Sequence, residues 1–153
     1  MQSPEARIAK LGLRLPDVVP PLATYVPATR VGTLVFTSGQ LPLADGELVA
    51  KGLVGVDVDP DQASACARIC ALNALAAVRS LVGDLSLVTS IVKVVGFVAS
   101  SPGFTGQPAV VNGASDLLDE VFGDAGKHAR SAVGVASLPL GAPVEIEMIV
   151  EVA

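Results

Sequence analysis

The sequence has very few aromatic side chains. Its 153 residues include no tryptophan, one tyrosine and four phenylalanines, although 51% of the residues are hydrophobic and only 16% are charged. The core must therefore be built mainly from alanine, valine and leucine. This much aliphatic surface is more than one small domain readily hides, which favours a buried interface between subunits. The length predicts a single domain over residues 1–153, with residues 1–20 as an N-terminal extension.

Basic residues are also scarce. Ten lysines and arginines against fifteen aspartates and glutamates give a net charge of −5 and a pI near 4.7. Proteins that bind nucleic acids generally carry a cluster of basic side chains. The sequence contains no such cluster, so binding to RNA or DNA is disfavoured.

Histidine and cysteine are too few for the common metal sites. The chain has one histidine and two cysteines. Cys66 and Cys70 lie four residues apart in an alanine-rich helical pattern, a spacing that suits neighbours on one helix face but gives poor disulfide geometry. We therefore predict two packed thiols of a cytosolic protein and no zinc site.

Long apolar runs are missing as well. The longest are interrupted by Asn73 or Lys93 and fall short of the roughly 20 residues that cross a bilayer. The N-terminal residues carry charges throughout and lack the apolar centre of a secretory signal. We expect a soluble, cytoplasmic protein with no membrane partner.

Hydrophobic periodicity and turn residues predict the order β-β-α-β-α-β-β, preceded by a short helix over residues 4–14 capped by Ser3. Residues 39–58 are expected to be irregular and glycine-rich. The predicted strands and helices, in order, cover residues 22–30, 33–38, 60–82, 87–100, 108–122, 131–136 and 144–152. Two helices on a mostly antiparallel or mixed sheet make an α+β two-layer sandwich. The second sheet face then has no helix to cover it, which predicts self-association.

No strong nucleophile motif is present. A Gly-x-Ser-x-Gly elbow is absent, and neither cysteine has a histidine in its own segment. Asp124, His128 and Ser131 superficially suggest a catalytic triad, but one loop cannot easily align all three. Glu145 and Glu147 are close enough to be paired carboxylates, yet they point to one face of a strand, which is more often solvent or interface.

Arg130 is the strongest candidate for a binding group. Its planar guanidinium matches a carboxylate with two parallel hydrogen bonds. It lies among Ala129, Ser131, Ala132 and Val133, where burial without an anionic partner would be costly. The partner is either an internal glutamate such as Glu145 or the carboxylate of a ligand, and the residues alone leave both alternatives open.

Four blocks in a fixed order narrow the choice. They are Phe36–Pro42 (FTSGQLP), a helix start at Asn112, Ala129–Val133 (ARSAV), and Leu138-Pro139 followed by Val144–Glu147 (VEIE). Their order and spacing, over roughly residues 22–152, resemble the reactive-intermediate deaminase family (Rid or YjgF-like), also labelled the L-PSP endoribonuclease family. The chain is most similar to a longer, divergent subgroup, marked by the Lys51–Gly55 insert, the run Ala67–Asn73 and Gly126-Lys127-His128.

The resemblance implies a chorismate-mutase-like fold and a homotrimer whose sheets pack toward a central core. It also implies three clefts between subunits, in which enamines or imines are hydrolysed to 2-oxo acids and ammonia. No metal or organic cofactor is required. The partners it implies are therefore a small imine, enamine or 2-oxo acid and two further copies of the chain.

The resemblance also implies roles for individual residues. Arg130 matches the arginine that clamps the substrate carboxylate, and Glu145 matches the glutamate that positions the attacking water. Ala132 stands where the family often has cysteine, so a thiol role is lost although its backbone can still line the pocket. The remaining substrate-binding positions are Tyr25, Ser38, Gly39 and Asn112.

Two other functions remain open at this point. A non-catalytic trimer that binds small carboxylates or a protein partner would use the same arginine without turning over an imine. Ribonuclease action, which the family label suggests, is disfavoured by the acidic pI and the missing basic cluster. Residues 39–58 are expected to reshape the pocket and its specificity.

Overall fold

A computed structural model describes residues 2–18 and 23–153. The strands are β1 (Ala28–Val31), β2 (Leu34–Thr37), β3 (Leu43–Ala44), β4 (Glu47–Leu48), β5 (Val88–Ala99), β6 (Ala129–Val135) and β7 (Val144–Val152), and the helices are α1 (Pro4–Lys10), α2 (Pro60–Val82) and α3 (Gln107–Phe122).

Five of the strands form one mixed sheet in the order β1-β2-β7-β5-β6. All neighbours are antiparallel except β5 and β6, which run parallel because α3 carries the chain back across the sheet. Both long helices pack on one face, which confirms the predicted α+β two-layer architecture.

Helix α2 begins and ends where its sequence predicts. The side chain of Asp59 accepts a hydrogen bond from the backbone N–H of Gln62 at 2.8 Å, and Pro60 occupies the first turn. Gly83, with a φ of +89°, ends the helix.

The length and composition of α2 would allow a membrane span, but 56% of its apolar window is buried inside the fold. The free thiols of Cys66 and Cys70 are buried there too, as predicted.

Helix α1 is shorter than the predicted 4–14, because Gly12 turns the chain with a φ of +76°. Ser3 caps the helix as expected, accepting from the backbone N–H of Ala6. The helix is tied to the fold by Ile8, which is 2% exposed, and by Arg7, whose guanidinium donates to the carbonyl oxygen of Val121 at 3.2 Å. Helix α1 therefore packs against α3.

Two predictions for the first half of the chain were wrong in part. Strand β1 begins at Ala28 instead of residue 22, because Pro27 has no N–H for the ladder; Leu22 lies outside the described residues. The segment 39–58 was predicted to be irregular, but it contains a hairpin of β3 and β4. Asp45 and Gly46, both with positive φ, form its turn.

The contact between α2 and α3 depends on Gly113. A Cβ added there would overlap the backbone carbonyl oxygen of Ser64, and neither helix backbone moves easily. We expect Gly113→Ala to lower the free energy of unfolding by about 3 kcal/mol, the upper range for overpacking, as measured by denaturant titration. Gly103→Ala is the control, since nothing lies within 4 Å of a Cβ at that position. Equal stability of the two variants would contradict this packing.

The sheet face turned away from the helices is partly open. Along β7, buried side chains alternate with half-buried or exposed ones, and Phe36 of β2 and Val133 of β6 are 37% and 43% exposed. The open face carries Phe36, Lys93, Val95, Phe97, Val133, Glu147 and Ile149. It mixes large apolar groups with a few charges, as the sequence predicts for a face that packs on another subunit.

Candidate active site

The predicted site residues form two clusters. Arg130 and Asn112 lie together at the β6 edge of the sheet, on the face covered by the helices. Tyr25, Ser38 and Gly39 lie together near the end of β2 and line one cavity. Glu145 lies beside the second cluster, where its carboxylate packs against Gly39.

Arg130 lies inside β6 and not just before a strand, as the sequence suggested. Its side chain reaches α3, where Nη1 donates to Asn112 Oδ1 at 2.8 Å and to Ser115 Oγ at 3.2 Å. Nη2 donates to the carbonyl oxygen of Pro108 at 3.4 Å. Asn112 and Ser115 face the same way because residues three apart share one side of a helix.

The guanidinium keeps donors available for a ligand. An arginine has five N–H groups, and three of those on Arg130 are taken by α3. Ion pairing with Glu145, one of the two alternatives from the sequence, is not found: the described residues form three ion pairs, and none includes Arg130 or Glu145. Its neighbours here are neutral, so Arg130 is a positively charged fork without a charged partner in the part of the chain that the structure describes.

His128 contacts the arginine cluster through Ser115. Its Nε2 lies 2.9 Å from Ser115 Oγ, and its Nδ1 lies 2.6 Å from the carbonyl oxygen of Gly126. The sequence did not indicate Ser115. The only signal was its position one helical turn after Asn112.

The triad suggested by the sequence does not form. Asp124 pairs with Lys127 at 3.0 Å, and Ser131 Oγ accepts from Lys93 at 3.2 Å. Strand β6 places Ser131 on the opposite sheet face from Arg130. The three residues therefore do not form a catalytic triad within one chain.

The second cluster opens on a cavity of about 570 Å³. Tyr25, 63% exposed, lies at its rim, and Ser38 Oγ donates to the carbonyl oxygen of Val26 at 2.5 Å. Arg14 and Asp17 of the N-terminal extension also line it, as do residues of the β3–β4 hairpin. The sequence did not indicate Arg14 and Asp17, since no local pattern shows where an extended segment contacts the fold.

Asn73 of α2 closes one side of this cavity. Its side-chain nitrogen donates to the carbonyl oxygens of Leu41 and Leu43, each at 3.0 Å. These bonds hold the chain after β2 in place above α2. The residue is therefore a polar contact between a helix and a loop.

Glu145 lies on β7, half-buried against the backbone of Gly39. A Cβ at Gly39 would overlap Glu145 Oε2, so glycine is needed for this approach. Burial, and secondarily the charge of Glu147, raises the pKa of the Glu145 carboxyl above its usual value. A carboxylate with a raised pKa is a better proton acceptor than an exposed one.

The raised pKa also means that ionised Glu145 lowers the stability of the fold. A raised pKa means that the folded state binds the proton more tightly than the unfolded state, so stability is present at low pH and lost as pH rises through the folded pKa. We expect Glu145→Gln to raise the free energy of unfolding at pH 8 by somewhat less than about 1 kcal/mol, because solvent screens this partly exposed group. Thermal unfolding at pH 4 and pH 8 tests this: the gain should shrink at pH 4, and the exposed control Glu47→Gln should show none.

The two clusters cannot meet within one chain. Strands β7 and β5 lie between β2 and β6, and neighbouring strands are about 4.8 Å apart, so the clusters are separated by on the order of 14 Å. Arg130 and Glu145 also project from opposite sheet faces. Ala132, two residues after Arg130, is half-buried against the core and brings no further functional group to either cluster.

Metal binding finds no support in the described ranges. Among residues 2–18 and 23–153, no group of three or more histidine, cysteine, aspartate or glutamate side chains is arranged to hold a metal ion.

Comparison with known proteins agrees with this fold. A curated relative, protein TCP17 of Trypanosoma cruzi, is 44% identical over 147 residues, which is 95% of this chain and 92% of TCP17. The crystal structure of Atu1372, a protein of unknown function from Agrobacterium tumefaciens, is 49% identical and covers 97% of this chain and 91% of its own, with a TM-score of 0.90. E. coli TdcF with bound serine is 29% identical over 92% of this chain and 94% of its own, with a TM-score of 0.62.

A family model described as "YjgF/chorismate mutase-like, putative endoribonuclease" matches residues 5–152. That match takes in both clusters and the whole sheet. The chain belongs to the YjgF/chorismate-mutase-like family, the one that its ordered sequence blocks resemble.

Proposed function

We propose that the protein hydrolyses reactive enamine and imine intermediates to 2-oxo acids and ammonia, in clefts between three subunits. The observation that carries this proposal is the guanidinium of Arg130, held by Asn112 and Ser115 with two N–H groups free of partners among the described residues. Such a fork suits a carboxylate with two oxygens. The bound serine of E. coli TdcF, a ligand with a carboxylate, supports this class of ligand.

The reaction needs little beyond orientation. An imine carbon is already electrophilic, so water can add to it once both are held in position. Glu145 accepts a proton from the attacking water, and the imine nitrogen takes up a proton from solvent, which gives a carbinolamine. Glu145 then returns its proton to the nitrogen as the C–N bond breaks. The hydroxyl group releases its proton to solvent, so ammonia leaves and a C=O group remains. The raised pKa of Glu145 suits this exchange of a proton.

A trimer would bring the two clusters together. The Arg130 cluster of one subunit would face the cavity and the Glu145 of the next, as a head-to-tail ring requires. The half-exposed Phe36 and Val133 on the open sheet face supply apolar surface for such an interface. The substrate would then lie between Arg130 on its carboxylate side and Glu145 on its imine side, with Tyr25, Ser38, Gly39, Asn112 and Ala132 around it. The two free thiols favour the reducing environment of the cytoplasm.

A second function is a trimer that binds small carboxylates without chemistry. Ala132 favours it, because the cysteine often found at this family position is missing and no thiol is available there. Ribonuclease action, named in the family description, is less well supported, because the chain has a net charge of −5 and RNA binding relies on basic surface.

The deciding experiment measures turnover and binding on the wild-type protein. A dehydratase that releases 2-iminopropanoate is followed by ammonia production with and without the protein, while pyruvate binding is measured by calorimetry. Faster ammonia release together with pyruvate binding supports the deaminase. Pyruvate binding without any acceleration supports the binding module, and cleavage of RNA that depends on Arg130 would favour the ribonuclease.

A further inference from the structure

His128 is the only histidine of the chain, and the proposed reaction does not use it directly. A carbonyl oxygen can only accept a hydrogen bond, so the 2.6 Å contact with Gly126 places the proton of the neutral ring on Nδ1. Nε2 is then an acceptor, and it receives the hydroxyl proton of Ser115 at 2.9 Å. The direction of both bonds follows from this one carbonyl.

The direction of the bond to His128 also decides how Ser115 binds Arg130. Its hydroxyl hydrogen is committed to His128, so its oxygen lone pairs are free to accept from Nη1 of Arg130 at 3.2 Å. The donors therefore run in one direction, from Arg130 to Ser115, then to His128, and finally to the carbonyl oxygen of Gly126. Without the ring as acceptor, the hydroxyl could turn its hydrogen toward the guanidinium and lose that bond.

The last acceptor in this series of hydrogen bonds, the carbonyl group of Gly126, is held in place by packing. A Cβ at Gly126 would overlap the carbonyl oxygen of Leu118 in α3, so this glycine packs directly on the helix. His128 thus follows a turn that packs against α3, and Ser115 lies on the same helix. Gly126, His128 and Ser115 are therefore all held in place by α3.

We infer that His128 and Ser115 are positioning residues that hold the guanidinium of Arg130 in the orientation its ligand requires; this rests on the proposed role of Arg130. Both hydrogens of Nη1 are engaged by Asn112 and Ser115, and one on Nη2 by Pro108. The two hydrogens left are that of Nε and one of Nη2, and these are the two nitrogens with which an arginine binds a carboxylate side-on. An arginine side chain has large rotamer entropy, and fixing it before binding lowers the entropy lost with the ligand.

The test compares His128→Leu with His128→Gln. Leucine fills similar space without an acceptor, whereas the side-chain oxygen of glutamine can still accept from Ser115. We expect His128→Leu to raise the Kd for pyruvate about 3- to 10-fold, the usual effect of one hydrogen bond, and His128→Gln to restore most of the affinity. Binding of the neutral analogue pyruvamide should change much less, because pyruvamide has no carboxylate that depends on the orientation of the Arg130 guanidinium.

Several outcomes separate this inference from the proposed function. If Arg130→Ala leaves pyruvate binding unchanged, the proposed function fails. If Arg130→Ala abolishes binding while His128→Leu and Ser115→Ala bind like the wild type, only the positioning role is overturned. Should His128→Leu not fold, Ser115→Ala supplies the same test, with an equal rise in Kd expected.

The sole histidine also permits a direct observation. In a ¹⁵N-labelled protein, the ring gives one set of signals, and we expect the tautomer with the proton on Nδ1. A neutral ring with its proton on Nε2 would reverse the hydrogen bond to Ser115 and overturn the inference.

Discussion

Replacing Arg130 with alanine is expected to lower kcat/KM for 2-iminopropanoate by about a hundredfold to ten-thousandfold. The substitution removes two charge-assisted hydrogen bonds to the substrate carboxylate, each worth about 1.5–3 kcal/mol, and every 1.4 kcal/mol is a factor of about ten. Because the carboxylate is bound in the ground state as well as in the transition state, much of the loss should appear in KM. The measurement is steady-state ammonia release in the coupled dehydratase assay.

Two variants serve as controls for this loss. Arg130→Lys keeps the charge but not the planar fork, and should fall between the wild type and Arg130→Ala. Arg68→Ala removes another hydrogen-bonded arginine, one that pairs with Glu120 at 2.8 Å between the outer sides of α2 and α3. It should leave kcat/KM unchanged. An Arg130→Ala variant with wild-type ammonia release would end the proposal that this residue clamps the substrate.

Mixing two inactive variants should restore activity. Arg130→Ala damages the first cluster and Glu145→Gln the second, so each homotrimer alone should release almost no ammonia. In mixed trimers, some clefts combine an intact Arg130 from one subunit with an intact Glu145 from its neighbour. In a head-to-tail ring that contains both variants, this applies to one cleft of each trimer, or about a third of the clefts.

Co-expression of the two variants with different tags, followed by tandem purification, yields the mixed trimers. Their ammonia release per cleft is then compared with that of each variant purified alone. The control is the double variant, with Arg130→Ala and Glu145→Gln on the same chain. Trimers assembled only from this double variant must remain inactive. If mixed trimers form and show no recovery, both groups act within the same chain, and the shared cleft is wrong.

The sequence predicts best where a residue type acts on its own backbone. Asp59, Pro60 and Gly83 set both ends of α2 through capping and conformational preference, and alternation placed β7 correctly at Val144–Val152. These effects are local and depend little on the rest of the fold. The start of β1 and the end of α1 were missed because Pro27 and Gly12 interrupt otherwise favourable patterns.

Contacts between distant residues were much harder to predict. An ion pair between Arg130 and Glu145 was one of the two alternatives that the sequence left open, since their strands follow each other in the chain. Strand β5 inserts between β6 and β7 in the sheet, so the two side chains are separated. The order of strands in a sheet is decided by the packing of the whole domain and not by the residues of any two strands.

The sequence predicted a set of candidate residues but not their arrangement. Arg130, Asn112, Ser38 and Gly39 came from the ordered blocks and Tyr25 from the family resemblance, and the structure divides them between two clusters. Ser115 and the bonds of His128 escaped notice because they depend on how α3 docks against β6. A serine in a helix has no local signal that distinguishes a solvent contact from a structural one.

The scarcity of aromatic residues has a practical consequence for spectroscopy. Tyr25 is the only tyrosine and there is no tryptophan, so nearly all of the ultraviolet fluorescence of the protein arises from one phenol ring. That ring is 63% exposed at the rim of the second cluster's cavity. Its emission therefore reports on the surroundings of the cavity alone, without labels or engineered probes, and a ligand that enters would be seen against a silent background.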